Sequence, residues 1–335
     1  MPAEWAPHER TLMAWPQRAA AWRGVGIEQA RADHAEIARS IARFEPVLMV
    51  VDPTQVDAAR ASCVGEVEVV GLPIDDSWLR DSGPLFVVGA GGRRAGVDFG
   101  FNGWGERFTP YANDAAVAAR LLEQLGIERH EAPLVLEGGS IALDGEGTLI
   151  TTEQCLLHPS RNPGRAREEI EALLCRYLGV EVVIWLGQGL VEDVDTDGHV
   201  DNVCAFVRPG AVLAQTVSNR DDPDWAICQE NLRRLRAARD ARGRALGVIE
   251  LDLLPRVVAS GRTVAVPYMN HYVANGAVIV PVAGQASDAR ALELIGAAYP
   301  GREVVPVPGL TLALGGGGVH CITQQVPAVQ QLPTL

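Results

Sequence analysis

Five times along this chain a helical stretch leads into an apolar strand and then into a polar or glycine-rich segment. Apolar spacing and flanking turn signals place the helices at about Glu28–Phe44, Asn113–Gly126, Arg165–Gly179, Asp224–Gly243 and Ser287–Tyr299. The strands that follow, PVLMVV, APLVLEGG, VEVVIWLG, VIELDLLP and REVVPVPG, have the Val, Ile and Leu content of buried β-structure. In the middle three units a hairpin comes next: SIALDGEGTLITT turns at DGEG, VCAFVRPGAVLAQ at RPG and YVANGAVIV at NG. The first unit is less regular, with an extra helix-like segment, Thr54–Cys63, and a second strand, VEVVGLP. A doubly wound open sheet would alternate helices with single parallel strands. Alternation with hairpins favours an α/β fold of five ββαβ-type units closed into a ring.

The polar motifs recur at one point of the unit, just after its central strand. Trp78 to Asp81 (WLRD), Glu137 (LEGGS), His199 with Asp201 (DGHVDN) and Cys321 (GGGGVHCITQQVP) all sit there. In a ring, equivalent positions meet on the axis, so residues far apart in sequence would share one site. The final unit ends soon after CITQQVP, and TLMAWP precedes the first helix as a stray strand. Thr11 to Trp15 should therefore pair with the strand beyond Cys321, leaving no exposed sheet edge there.

Composition narrows the chemistry. The 335 residues are 47% hydrophobic and 21% charged, ordinary for a globular protein and too apolar for disorder. No stretch approaches a membrane span and the N-terminus has no signal-like apolar core, so a cytoplasmic protein is expected. A net charge of −13 disfavours nucleic acid and favours small cations. All 29 basic residues are arginine, which excludes a lysine Schiff base and a Walker-type phosphate lysine. The six cysteines lack disulfide or zinc spacing.

Of the six, Cys321 alone follows four glycines, Gly315–Gly318, which leave room around a reactive sulfur. The other five sit in apolar surroundings such as VCAFV and ALLCRYL and read as packed thiols. In an extended segment His320 would face away from Cys321, as a supporting rather than catalytic group. Spacing of two puts His199 and Asp201 on one face of an extended segment; an Asx turn or a metal-ligand pair are the alternatives. Glu137, between PLVL and two glycines, reads as a buried carboxylate in need of a charged partner, or as a structural acceptor at the turn. Asp81 is a turn residue, a partner of Arg80, or, beside the indole of Trp78, half of a receptor for a planar cation. His8, His34, His130 and His158 read as surface residues, whereas His271, in YMNHYVANG, is placed to line the pocket.

Taken in order, MPAEWAPHERTLMAWP, WLRDSGP, NGWG, LEGGS, DGHVDN, YMNHYVANGAVIVP and GGGGVHCITQQVP resemble the agmatine deiminases, of the guanidine-modifying superfamily, over nearly the whole chain. Two positions depart from the family pattern: Gly318 stands where asparagine is expected, and QQVP replaces QQQP. The resemblance implies a five-bladed pseudosymmetric α/β propeller (pentein), a single catalytic domain over 1–335, no cofactor and no metal. It implies hydrolysis of agmatine to N-carbamoylputrescine and ammonia. By motif, Cys321 would be the nucleophile, His199 the general acid and base and Glu137 its carboxylate partner; Asp81 and Asp201 would clamp the guanidinium, and Trp78 would line the pocket. Deimination of free or peptidyl arginine, amidino transfer, and silent binding of polyamines or guanidines remain as alternatives, and oligomeric state is open.

Overall fold

The computed structural model describes residues 1–63, 65–89 and 91–329. They form a mixed α/β fold. Four of its sheets share one build, an antiparallel strand pair followed by a helix that returns to a parallel third strand. The first comprises Leu85–Val88, Arg94–Gly100 and Glu128–Val135, with helix Asp114–Gln124 before the third strand. Ile141–Leu143, Thr148–Thr152 and Val182–Leu186 repeat the pattern around helix Arg167–Leu178. Next come Cys204–Arg208, Ala211–Gln215 and Gly247–Leu251 with helix Trp225–Ala237. Tyr272–Ala274, Ala277–Val282 and Glu303–Pro308 with helix Asp288–Ala298 complete the set. A parallel pair cannot be joined by a tight turn, so each helix is the crossover its sheet requires.

The fifth sheet joins both ends of the described chain. His8–Ala14 lies antiparallel to Thr323–Pro327, with Thr11 opposite Gln325, and parallel to Val47–Val51, which pairs with Val67–Gly71. The expected pairing of the stray N-terminal strand with the strand beyond Cys321 is therefore present. Helices Ile27–Ala42 and Val56–Ser62 accompany this sheet, matching the less regular first unit.

Sequence dictates the packing locally. Val47–Val51, VLMVV, is buried at every position, as expected of a strand covered on both faces. Helix Asp114–Gln124 buries Val117, Ala118, Leu121 and Leu122 along one stripe and ends near Gly126, whose φ of 63° is left-handed. A Cβ on Gly96 would come within 2.1 Å of Leu122, so only glycine lets this helix seat on its strand. Leu121 is fully buried, and truncating it to alanine should cost about 2–5 kcal/mol.

The structure corrects several expectations. Leu85–Val88 and Arg94–Gly100 form a hairpin, hidden in sequence by the glycines and arginines between them. A two-stranded hairpin, Arg256–Ala259 with Arg262–Ala265, stands outside the repeat. Helix Trp225–Ala237 ends well before Gly243, where Arg239 and Ala245 form a bridge. His8 and His34 are buried, not on the surface. His8 pairs with buried Glu45 at 3.0 Å, and His34 meets Trp22 edge to face. Burial pushes the His34 imidazole down to about 4.

Candidate active site

The segments linking the third strand of one sheet to the first strand of the next carry the polar motifs, and these segments meet. Trp78 and Asp81 lie at the short helix Leu79–Ser82; Glu137 precedes the turn Gly138–Ser140; His199 and Asp201 flank Val200; Cys321 precedes Thr323–Pro327. Gly139 shows how tightly they converge. A Cβ there would lie 2.7 Å from His199 Nδ1 and 2.9 Å from both Asp201 Oδ2 and Asp81 Oδ1. All six predicted site residues are buried. Val200–Asn202 is a 3₁₀ turn rather than an extended segment, so the common orientation of His199 and Asp201 arises from that turn and not from strand alternation.

His199 sits between two carboxylates without hydrogen-bonding either. Its Nδ1 is 3.8 Å from Asp81 Oδ1 and its Nε2 is 3.8 Å from Glu137 Oε2, and both nitrogens are buried without a hydrogen-bond partner among the described residues. Burial opposes the imidazolium, but the charge of Asp81, with that of Cys155 when ionised, raises the His199 pKa well above its ordinary value. Glu137 finds its charged partner in Arg161, whose Nε donates to Oε1 at 2.7 Å while its Nη1 reaches Asp197 at 2.8 Å. Burial alone would raise Glu137; the nearby His199 and Arg161 lower it.

Asp81 accepts from the indole N–H of Trp104 (2.9 Å) and the backbone N–H of Gly139 (2.9 Å). Burial raises its pKa, as do the charges of Asp201 and Glu137, against the opposing charge of His199. Arg80 is buried and donates to Gln325 (2.8 Å), so it is not the surface partner of Asp81. Trp78 stacks on Trp22 with centroids 5.4 Å apart.

Cys321 Sγ lies 3.5 Å from Asp201 Oδ2 and 3.2 Å from the side-chain nitrogen of Asn270. Burial drives the thiol pKa well up, and the charges of Asp201 and Asp81 add to it. The preceding glycines serve closeness rather than mobility. A Cβ on Gly315 would strike Trp22 at 2.3 Å, on Gly317 Trp78 at 2.5 Å, and on Gly318 Asn270 Oδ1 at 2.3 Å; of the four, only Gly316 has a left-handed φ, 101°. The place of a side chain at 318 is thus already taken by Asn270.

Asn270, Trp104 and Arg161 escaped the sequence reading. Asn270 precedes His271 in YMNHYV, and attention to the histidine hid the amide, although adjacent residues face apart. His271 instead bonds Tyr299 (2.9 Å) and lines a second cavity. Trp104 lies in NGWG, where φ is 56° and no periodicity flags it. Cys155 is buried with its Sγ 3.9 Å from Glu137 Oε2. Four of the five thiols expected to pack, Cys63, Cys155, Cys204 and Cys228, are buried, and Cys175 is partly so.

Glu137, Cys155 and His199 lie close enough together to ligate a metal. Glu137 is, however, already neutralised by Arg161, and that buried guanidinium opposes a second cation at the same carboxylate. A better-formed feature is a pocket of about 390 Å³ with Cys321 and Asp81 in its wall, flanked by Trp78 and Trp104, and with Asp76 and Asp195 also lining it. No arginine or histidine is among its described lining residues. Such a space accepts a planar cation against the sulfur and a second positive charge further out.

The family model described as Porphyromonas-type peptidyl-arginine deiminase matches residues 1–327. Agmatine deiminase of Pseudomonas aeruginosa is 44% identical over 352 residues, covering 98% of this chain and 95% of that protein. The solved agmatine deiminase of Enterococcus faecalis superposes with a TM-score of 0.94 at 36% identity, covering 98% of this chain and 95% of that one. A cysteine-to-serine variant of C. jejuni agmatine deiminase with substrate bound gives 0.90 at 26% identity, covering 99% and 96%.

Proposed function

Because the chain belongs to the Porphyromonas-type peptidyl-arginine deiminase family, we propose that it hydrolyses agmatine to N-carbamoylputrescine and ammonia through a covalent adduct on Cys321. The observation that carries this reading is the pocket at Cys321, acidic and without a described basic lining residue. We read the five sheets as blades of a pseudosymmetric propeller closed by the pairing of His8–Ala14 with Thr323–Pro327, and the whole as one catalytic domain. The site then lies where the blades' connections meet.

A guanidinium is resonance-stabilised and a poor electrophile, so it must be held in plane while sulfur attacks its central carbon. Asp81 and Asp201 supply acceptors for that plane. Among the described residues Asp201 Oδ1 is buried without a partner, as an acceptor awaiting a donor would be. The cation also offsets the charge that keeps Cys321 protonated, so substrate binding itself favours the thiolate. Attack forms the C–S bond. Protonated His199 gives its proton to one amino group, which leaves as ammonia, and the adduct on sulfur is a cationic thiouronium. Now neutral, His199 takes a proton from water as its oxygen adds to the same carbon. Collapse breaks the C–S bond and releases the thiolate and the urea product, whose remaining hydroxyl proton passes to the departing ammonia or to solvent as the carbonyl forms. Glu137, fixed by Arg161, faces the imidazole and favours its charged form.

Of the other acids lining the pocket, Asp195 and Asp76 suit the primary ammonium of agmatine, Asp76 already sharing its charge with Arg18 at 2.8 Å. The α-carboxylate of arginine would meet these acids with no arginine or histidine among the described lining residues to pair it. A small guanidine is thus the partner we assign, with no role for nucleic acid or membrane; among the described residues no helix is long and apolar enough to cross a membrane. Ammonia release from agmatine, arginine and a blocked arginine peptide, measured side by side, tests this. Agmatine should lead by at least about a hundredfold in kcat/KM, roughly 2.7 kcal/mol of differential binding. Comparable turnover of arginine would overturn the assignment.

A further inference from the structure

Besides the pocket at Cys321 there is a second cavity, to which Glu4, Arg80, Asp201, His271 and His320 contribute. Asp201, 3.5 Å from Cys321 Sγ, and His320, the chain neighbour of Cys321, thus connect the sulfur to this second space. His320 Nδ1 is 3.0 Å from Asp201 Oδ2, and its Nε2 is 2.9 Å from Glu4 Oε2. A carboxylate only accepts hydrogen bonds when ionised, so a histidine bonded at both nitrogens to carboxylates must carry two ring protons. Glu4 is itself held in place: its Oε1 accepts from the backbone N–H of Val273 at 2.8 Å, and its carbonyl lies 2.7 Å from His8 Nε2.

We propose that Glu4 is a positioning residue for the reaction: it holds His320 as an imidazolium against Asp201, so that Cys321 meets a carboxylate whose charge is already offset. The inference rests on the nucleophilic role assigned to Cys321 above. Four charged or titratable groups bear on His320. Glu4 and Asp201 favour its proton, whereas Arg80, whose Nε donates to the His320 carbonyl at 3.3 Å, opposes it, and His271 lies on the same cavity. Burial and Arg80 both push the imidazole down, and the two carboxylates outweigh them. With one carboxylate removed, His320 should lose its proton at a lower pH.

Glu4→Gln removes the charge and, with its single carbonyl oxygen kept for the Val273 N–H, turns an amide N–H instead of an acceptor toward the imidazole. The readout is the alkylation rate of Cys321 by iodoacetamide, followed by peptide mass mapping across the neutral and mildly alkaline range. While His320 stays protonated, the variant has lost a negative charge near the sulfur, which should react at least as fast as in wild type. Once His320 deprotonates, Asp201 is no longer offset, and the rate should fall about tenfold below wild type, one unit of thiol pKa. On agmatine, kcat should follow the same trend while KM does not rise. A ratio of variant to wild type that is constant with pH, or a loss expressed only in KM, would overturn the proposal. If wild type does not turn over agmatine, the substrate assignment fails, and the alkylation arm still decides the role of Glu4.

Discussion

Two histidines mark two differently built sides of the site. His320, on the side of the second cavity, has both ring nitrogens bonded to carboxylates at 2.9 and 3.0 Å, in a line that runs from Glu4 to Asp201. His199, on the substrate side, is as deeply buried and has neither nitrogen within hydrogen-bond distance of Asp81 or Glu137. Buried polar groups are rarely left unpaired, because each costs about 1–3 kcal/mol. On the reading proposed above, the satisfied side positions Asp201 and Cys321, and the unsatisfied side is the one assigned to proton transfer and a bound cation. Asp201 belongs to both: its Oδ2 faces His320, and its Oδ1 is open.

Substitutions on the open side should change kinetics far more than stability. His199→Asn removes the acid and base and should lower kcat about 10²–10⁴-fold, with melting temperature nearly unchanged. A small kinetic effect would break the contrast between the two histidines. Asp81→Asn keeps shape but replaces a charged acceptor; kcat/KM for agmatine should fall by about 1.5–3 kcal/mol, seen in steady-state kinetics. Because burial raises the Asp81 pKa, activity should fall on the acid side as that carboxylate protonates, and the acid limb of the wild-type kcat/KM profile should be altered in the variant. Trp104→Phe removes the indole bond to Asp81 and should cost about 0.5–1.5 kcal/mol in kcat/KM, a few-fold to tenfold.

The smallest effect belongs to scaffold far from the sulfur. Burial pushes the Asp114 carboxyl up to about 7, where it accepts from the backbone of Asp75 and Asp76. Between its unfolded pKa and that value the folded chain binds the extra proton, so this group adds stability at acid pH and loses it as pH rises through about 7. Asp114→Asn should flatten that part of the melting-temperature profile and leave kcat unchanged.

Much of this was legible in the sequence where one physical signal dominated. Apolar strands such as VLMVV and the NG turn of YVANGAVIV set the repeat, and the match of Thr11 with Gln325 follows from the stray first strand. The hairpin from Leu85 to Gly100 was not legible, because glycines and arginines broke its alternation. In the candidate site, the residues that the structure brings together, among them Asp81, His199, Asp201 and Cys321, were singled out by recurrence at one point of the unit. Asn270, Trp104 and Arg161 were not, because each acts through a contact between residues distant in sequence: Asn270 on Cys321, Trp104 on Asp81, Arg161 on Glu137. The four glycines were seen, but their purpose is fixed by Trp22, Trp78 and Asn270, which only the fold brings against them.

The central claim is covalent catalysis by Cys321 on a guanidine. Its most direct test is intact-protein mass spectrometry after mixing with agmatine and quenching in acid during turnover. The account predicts that wild type gains the mass of agmatine less ammonia, that peptide mapping places it on Cys321, and that Cys321→Ala shows neither adduct nor ammonia release while remaining folded. Turnover by Cys321→Ala, or an adduct mapped to Cys155 instead, would contradict it.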